Sequence, residues 1–92
     1  MEHYIVRVEL HGASYSDYEN LHAHMKQAGF LQTIRGGNGI QYKLPTAEYY
    51  VFSSATLAVV KQAAKNASAA TGKAFWLLAT QAKAIDWELQ PA

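Results

Sequence analysis

The sequence predicts an α+β fold in which an antiparallel sheet carries two helices on one face. Three observations predict it. Residues 3–11 alternate between apolar and polar with a period of two, as a half-buried strand does. Two segments, opening at Ser16 and Thr56 and closing at Gly29 and Gly72, hold apolar residues at helical spacing between a capping hydroxyl and a glycine. Short β-branched and aromatic runs, punctuated by Gly, Asn and Pro, fill the remainder, so the elements follow the order β-α-β-β-α-β in one unit spanning residues 1–92.

In the first strand Tyr4, Val6, Val8 and Leu10 point one way, and His3, Ile5, Arg7, Glu9 and His11 point the other. Ser16-Asp17-Tyr18-Glu19 then has the spacing of a capping box, with the Ser16 hydroxyl accepting from the Glu19 amide and the Glu19 carboxylate reaching back to the Ser16 amide. Tyr18, Leu21, Met25 and Ala28 form the core stripe of the helix that follows, and Gly29 supplies a left-handed stop. Phe30 to Arg35 is the second strand.

Gly36, Gly37 and Gly39 around Asn38 raise the question of a phosphate-binding loop. Such a loop joins a strand to a helix and ends in Lys-Ser or Lys-Thr. Here the glycines lie between two strands and no such pair follows, so the run reads as a hairpin turn. Ile40 to Leu44 begins the third strand, Pro45 forces a jog because it cannot donate to a ladder, and Glu48 to Phe52 continues it as far as Ser53-Ser54. Thr56 to Thr71 is the second helix, with Leu57, Val60, Ala64 and Ala67 as its stripe. Lys73 to Thr80 is the fourth strand, and Ile85, Trp87 and Leu89 alternate with Asp86 and Glu88 in a short last strand. This order is the split βαβ, or ferredoxin-like, arrangement.

In that arrangement the fourth strand lies at a sheet edge, yet Phe75, Trp76, Leu77 and Leu78 are apolar on both of its faces. Two-sided apolarity at an edge needs a cover. Half of the chain is apolar and only 16% is charged, against roughly 25% in an average soluble domain, which points the same way. The expectation is a homodimer.

A net charge of +1 is too small to predict nucleic-acid binding by bulk electrostatics, so any such binding rests on local patches. Without cysteine the chain has neither a disulfide framework nor a thiolate zinc site. The N-terminus lacks the apolar stretch of a secretory signal, and no window approaches the ~18 apolar residues of a membrane span, so the expected setting is the cytoplasm, away from membranes. No pair of acids is spaced for two metals and no G-x-S-x-G elbow is present. No metal and no small-molecule cofactor is expected.

Three groups of residues remain as candidates. His22, His24 and Lys26 lie on the first helix; the i, i+2 spacing of the histidines puts them on different sides, so they do not share a metal. Either histidine has the chemistry of a general base toward a ribose 2′-hydroxyl, and the alternative is a solvated helix face. His3, Arg7 and His11 share the face of the first strand that looks away from the helices, where one of Tyr49 and Tyr50 must join them. RNA-binding sheets stack bases and hold phosphates on such a face, and the alternative is a dimer- or solvent-facing surface in which Arg7 and Glu9 pair with neighbouring strands. Arg35 and Lys43, at the base of the hairpin, have the charge to bracket a phosphate, or are simply its polar residues.

The segments YIVRVELHGASYSDYENLH, MKQAGF followed by TIRGGNGIQYKLPTAEY, and TGKAFWLLAT resemble the GhoS-like antitoxins of type V toxin–antitoxin systems across most of the chain. The resemblance implies a small bacterial endoribonuclease of ferredoxin-like fold that cleaves the messenger RNA of a partner toxin, a short hydrophobic peptide acting on the inner membrane. It also implies kinship with small CRISPR-associated nuclease subunits, whose dimers pair sheet to sheet. The family's activity is tied to basic residues on the first helix; this helix has no arginine, and His22 is the counterpart by position, with His24 and Lys26 beside it.

Two readings follow. In one, the chain is a metal-independent endoribonuclease with His22 and Arg35 as catalytic residues and Arg7, His11, His24, Lys26 and Lys43 as RNA contacts. In the other, it is a non-catalytic homodimer that binds RNA or a protein through its open sheet face.

Overall fold

The structure is a computed structural model that describes residues 1–92. Its elements in chain order are β1 (Glu2–Leu10), α1 (Tyr15–Gln27), β2 (Thr33–Arg35), β3 (Gln41–Lys43), β4 (Glu48–Ser53), α2 (Leu57–Ala69) and β5 (Phe75–Ala82). β1 runs between two neighbours, pairing antiparallel with β4 on one side and β5 on the other, in the order β4-β1-β5. β2 and β3 form a separate antiparallel hairpin. The hairpin hangs from the free edge of β4 through a pair of bonds in which Leu31 and Tyr50 each donate to the other's carbonyl, at 2.9 and 2.8 Å.

The period-two pattern of β1 decides where the core lies. Tyr4, Val6, Val8 and Leu10 are buried, and they pack with Tyr49 of β4, Leu21 and Met25 of α1, and Val60, Ala64 and Ala67 of α2. Both helices therefore sit on the Tyr4 face, as the sequence predicts. The alanines of α2 let its backbone approach the sheet closely. The three hydroxyls in this core are satisfied: Tyr4 donates to the Ala55 carbonyl at 2.6 Å, Ser68 donates to the Ala64 carbonyl at 2.8 Å, and that of Tyr49 lies 2.6 Å from His22 Nδ1.

The structure changes three expectations. α1 starts earlier, with Ser14 rather than Ser16 as its cap. The Ser14 amide donates to the Asp17 carboxylate at 2.8 Å, and the Asp17 amide returns a bond to the Ser14 hydroxyl at 3.3 Å. Both serines have an acid three residues on, and the earlier box wins because it adds helical bonds and aligns Tyr18, whose hydroxyl receives the Leu10 amide at 3.0 Å. The bonded Ser14 amide holds the Asp17 carboxyl below the usual carboxylate range, against the opposing effect of burial.

The long third strand is two strands, β3 and β4. Pro45 lacks an N–H, its carbonyl receives the Glu48 amide at 3.0 Å, and Ala47 takes a left-handed φ of 62°, so the chain turns where the jog was expected. The predicted last strand does not form. Its alternation is real, since Ile85, Trp87 and Leu89 are half-buried and their neighbours exposed. The segment nevertheless lies as a strap over the open side of the sheet, against Ile5, Ile34, Leu44 and Pro45, instead of joining an edge. Only its end bonds to β3, where the Lys43 amide donates to the Gln90 carbonyl and the Ala92 amide to the Gln41 carbonyl, both at 2.9 Å.

β5 lies at the sheet edge as expected. Phe75, Leu77 and Ala79 pack onto the core, while Trp76 and Leu78 on the other face are 71% and 66% exposed. No helix is long and apolar enough to cross a membrane.

The cap assignment is testable by chemical denaturation. Ser14→Ala is expected to lower stability by about 1 kcal/mol, and Ser16→Ala by less than half of that. A larger loss at Ser16 would restore the later helix start.

Candidate nucleic-acid interface

Strand register writes the open face row by row. His3 lies between Phe52 and Ala82, Ile5 between Tyr50 and Thr80, and Arg7 between Glu48 and Leu78, with Glu9 opposite Trp76. This is the face expected to hold Arg7 and His11, and it does. Of the two tyrosines, Tyr49 points into the core and Tyr50 joins the open face. The rings there make mutual contacts: His3 lies 4.8 Å from Phe52 between centroids, and His11 meets Trp76 edge-on at 4.7 Å. His11 also bonds Glu9 at 2.9 Å, so one of the expected basic groups already has an acidic partner.

The strap leaves several hollows on this side, and two of them hold the arginines. One, of about 260 Å³, is lined by Arg7, Glu9 and the Trp76–Leu78 stretch of the edge strand. The other, of about 210 Å³, lies between the strap and the sheet, lined among others by His3, Arg35, Tyr50, Lys83 and Trp87.

Arg35 reaches the second hollow from the end of β2, and its Nε donates to the Gly39 carbonyl at 3.3 Å. That carbonyl belongs to the glycine turn, which is a hairpin as predicted: Gly36 donates to Ile40 at 2.9 Å, Gly39 to Gly36 at 3.0 Å, and Gly39 has a φ of 81°. Lys43 pairs with Thr33 across the hairpin, not with Arg35, and lines a different hollow beside Glu88. The two basic residues of the hairpin do not bracket one anion.

On α1 the arrangement differs from a plain solvated face. His22 is half-buried, and its Nδ1 lies 2.6 Å from the Tyr49 hydroxyl. Burial pushes the Tyr49 hydroxyl well above the usual tyrosine range, with Tyr18 and Glu19 adding to the effect, so the group stays protonated. It makes no other hydrogen bond, and in the tautomer where it donates to Nδ1 a neutral His22 carries its proton on Nε2. In that state His22 presents a donor outward. His24 is half-buried and Lys26 exposed, both in the last helical turn, where cations favour the helix dipole.

His22 and Arg35 are therefore not brought together. His22 meets Tyr49 on the helix side of β4, whereas Arg35 shares a hollow with Tyr50 on the open side. No three His, Asp or Glu side chains gather as a metal-holding group.

Sequence reasoning missed Lys83 and the bond from His3 Nδ1 to the Tyr50 hydroxyl, at 2.6 Å. A signal for Lys83 was present: it is the only cation in residues 74–92, directly before the alternating strap. Nothing in the sequence places it beside Arg35.

Compared with known families, residues 1–88 match the family model described as endoribonuclease GhoS. No curated protein matches the chain.

The Tyr49–His22 bond generates a prediction. A tyrosine whose folded pKa lies above its unfolded value contributes stability that is present below pH 10 and is lost as the pH rises further. Tyr49→Phe is expected to cost about 1 kcal/mol at pH 7 in denaturant titrations and to blunt this alkaline loss. An unchanged alkaline profile would show that Tyr49 is not its source.

Proposed function

The chain belongs to the endoribonuclease GhoS family, and on that premise we propose that it is an antitoxin that cuts the messenger RNA of a small membrane-active toxin without a metal. The observation that carries this reading is the open face of the sheet. It combines aromatic rings with arginines on a chain of low net charge, which is the local patch that RNA contact needs. Binding is assigned to Arg7 on β1, to His11 just after it and to Arg35, with Lys43 at the far end of the hairpin and His24 and Lys26 on α1 as outer contacts.

In metal-free cleavage a ribose 2′-hydroxyl attacks the adjacent phosphorus and the bond to the 5′-oxygen breaks. The 2′-proton passes to a base, the 5′-oxygen takes up a proton, and a 2′,3′-cyclic phosphate remains. Arg35 has the fork that stabilises the extra charge on the phosphoryl oxygens. His22, facing the other side of the sheet, does not serve the same phosphate from the same chain. Of the two proposed catalytic residues, Arg35 is the one that the geometry favours.

The remaining parts of the reading follow the same footing. The chain is one domain, its sheet is read as ferredoxin-like because the β4-β1-β5 order with Leu31 beside β4 fits that topology, and it works in the cytoplasm. A homodimer is supported by Trp76 and Leu78, large and apolar on an exposed edge strand.

The separation of His22 from Arg35 favours a second reading, a non-catalytic RNA-binding module, and one assay separates the two. With single-stranded RNA in EDTA, cleavage with cyclic-phosphate ends is expected, slowed at least about tenfold by Arg35→Ala. RNA that is retained but intact over hours would leave the binding module in its place.

A further inference from the structure

The strap-covered hollow holds more than the proposed function uses. Its two cations, Arg35 and Lys83, make no salt bridge, and no carboxylate lines it. Two unpaired cations in one hollow, in a chain with a net charge of only +1, attract an anion there rather than to the protein at large. The rings of Tyr50 and Trp87 line the same hollow. Burial raises the Tyr50 hydroxyl above the usual tyrosine range, so it stays protonated, 2.6 Å from His3 Nδ1. Arg35 and Lys83 have donors only and no carboxylate faces them, which suits phosphate oxygens and not a cationic ligand.

Size narrows the ligand further. Pockets that enclose drug-sized molecules run to roughly 300–1,000 Å³, and about 210 Å³ admits one ring system with the rest of the ligand outside. The strap that forms the outer wall is pinned at its end to β3 and through Trp87, whose ring lies 5.7 Å from that of Tyr42. The wall is therefore held in place before any ligand arrives.

Resting on the ribonuclease reading, we propose that this hollow is a single-nucleotide subsite for single-stranded RNA. Arg35 and Lys83 hold one phosphate, a base stacks against Trp87, and the His3 ring lines the same subsite. The strap residues Lys83 and Trp87 thereby become binding residues, and the strap becomes part of the RNA site.

The test uses the full chain and a short, fluorescently labelled 2′-O-methyl oligoribonucleotide, whose blocked 2′-oxygen prevents cleavage, with anisotropy read against salt. Lys83→Ala is expected to lessen the slope of log affinity against log salt by about 0.7, the effect of one phosphate contact on a single strand, whereas Lys65→Ala on the outside of α2 leaves it unchanged. Trp87→Ala is expected to weaken binding on the order of tenfold or more, and Trp87→Leu, which keeps an apolar anchor for the strap but no ring, to weaken it nearly as much, whereas simple loosening of the strap would let Leu recover most of the loss. If Lys83→Ala behaves like Lys65→Ala while the parent protein cuts ordinary RNA, the subsite is wrong and the ribonuclease reading stands. If the parent neither binds the probe nor cuts RNA, both fall.

Discussion

The fold depends on one strand paired on both sides in one register. β1 holds β4 and β5 apart by its own width, and its alternation sends Tyr4, Val6, Val8 and Leu10 beneath the helices and His3, Ile5, Arg7 and Glu9 to the other side. A slip of one residue would exchange the two sets. Each large apolar side chain brought out of the core would forfeit about 1.5–3 kcal/mol. The charges of Arg7 and Glu9 carried inward would cost several kcal/mol each on top of that. No competing contact is large enough to offset such a sum, so the register is fixed, and with it the identity of the open face.

The same constraint gives the molecule two sides with different chemistry. The helix side is a closed apolar core whose polar atoms all find partners. The open side is filled from elsewhere in the chain, by the β2–β3 hairpin and by the strap, and these two converge on Ile5 and Ile34. Ile34 is buried there, outside the main core, and acts as the anchor of a small second cluster. What the strap leaves uncovered is the row of Arg7, Glu9, Trp76 and Leu78, half charged and half apolar. Membership of a ribonuclease family gives that asymmetry a use, since RNA asks for rings and cations side by side.

The layout of the sheet was legible because it rests on period two and on glycines, which are local signals. The faces of β1, the hairpin turn at Gly36–Gly39 and the jog at Pro45 follow from residues a few positions apart, and the edge position of β5 from the order of the elements. The helix start was misplaced because Ser14-x-x-Asp17 and Ser16-x-x-Glu19 carry the same pattern, and the choice between them is made by Tyr18 reaching Leu10 across a loop. The strap was read as a strand because alternation reports one covered face and says nothing about who takes the backbone bonds. The candidate site was legible residue by residue but not as a constellation. Arg35 and Lys83 lie 48 positions apart and line one hollow only because the strap folds back, while His22 and Arg35, nearer in sequence, are parted by the sheet.

The claim on which the account turns is that RNA meets the face of the sheet opposite the helices. Chemical-shift mapping of the isotope-labelled protein, titrated with a 2′-O-methyl oligoribonucleotide, tests it most directly. The account predicts that the largest changes fall on His3, Arg7, Tyr50, Trp76 and Trp87, with smaller ones at His24 and Lys26 and the outer face of α2 unmoved. Changes concentrated on His22, His24 and Lys26, with the open face silent, would contradict it.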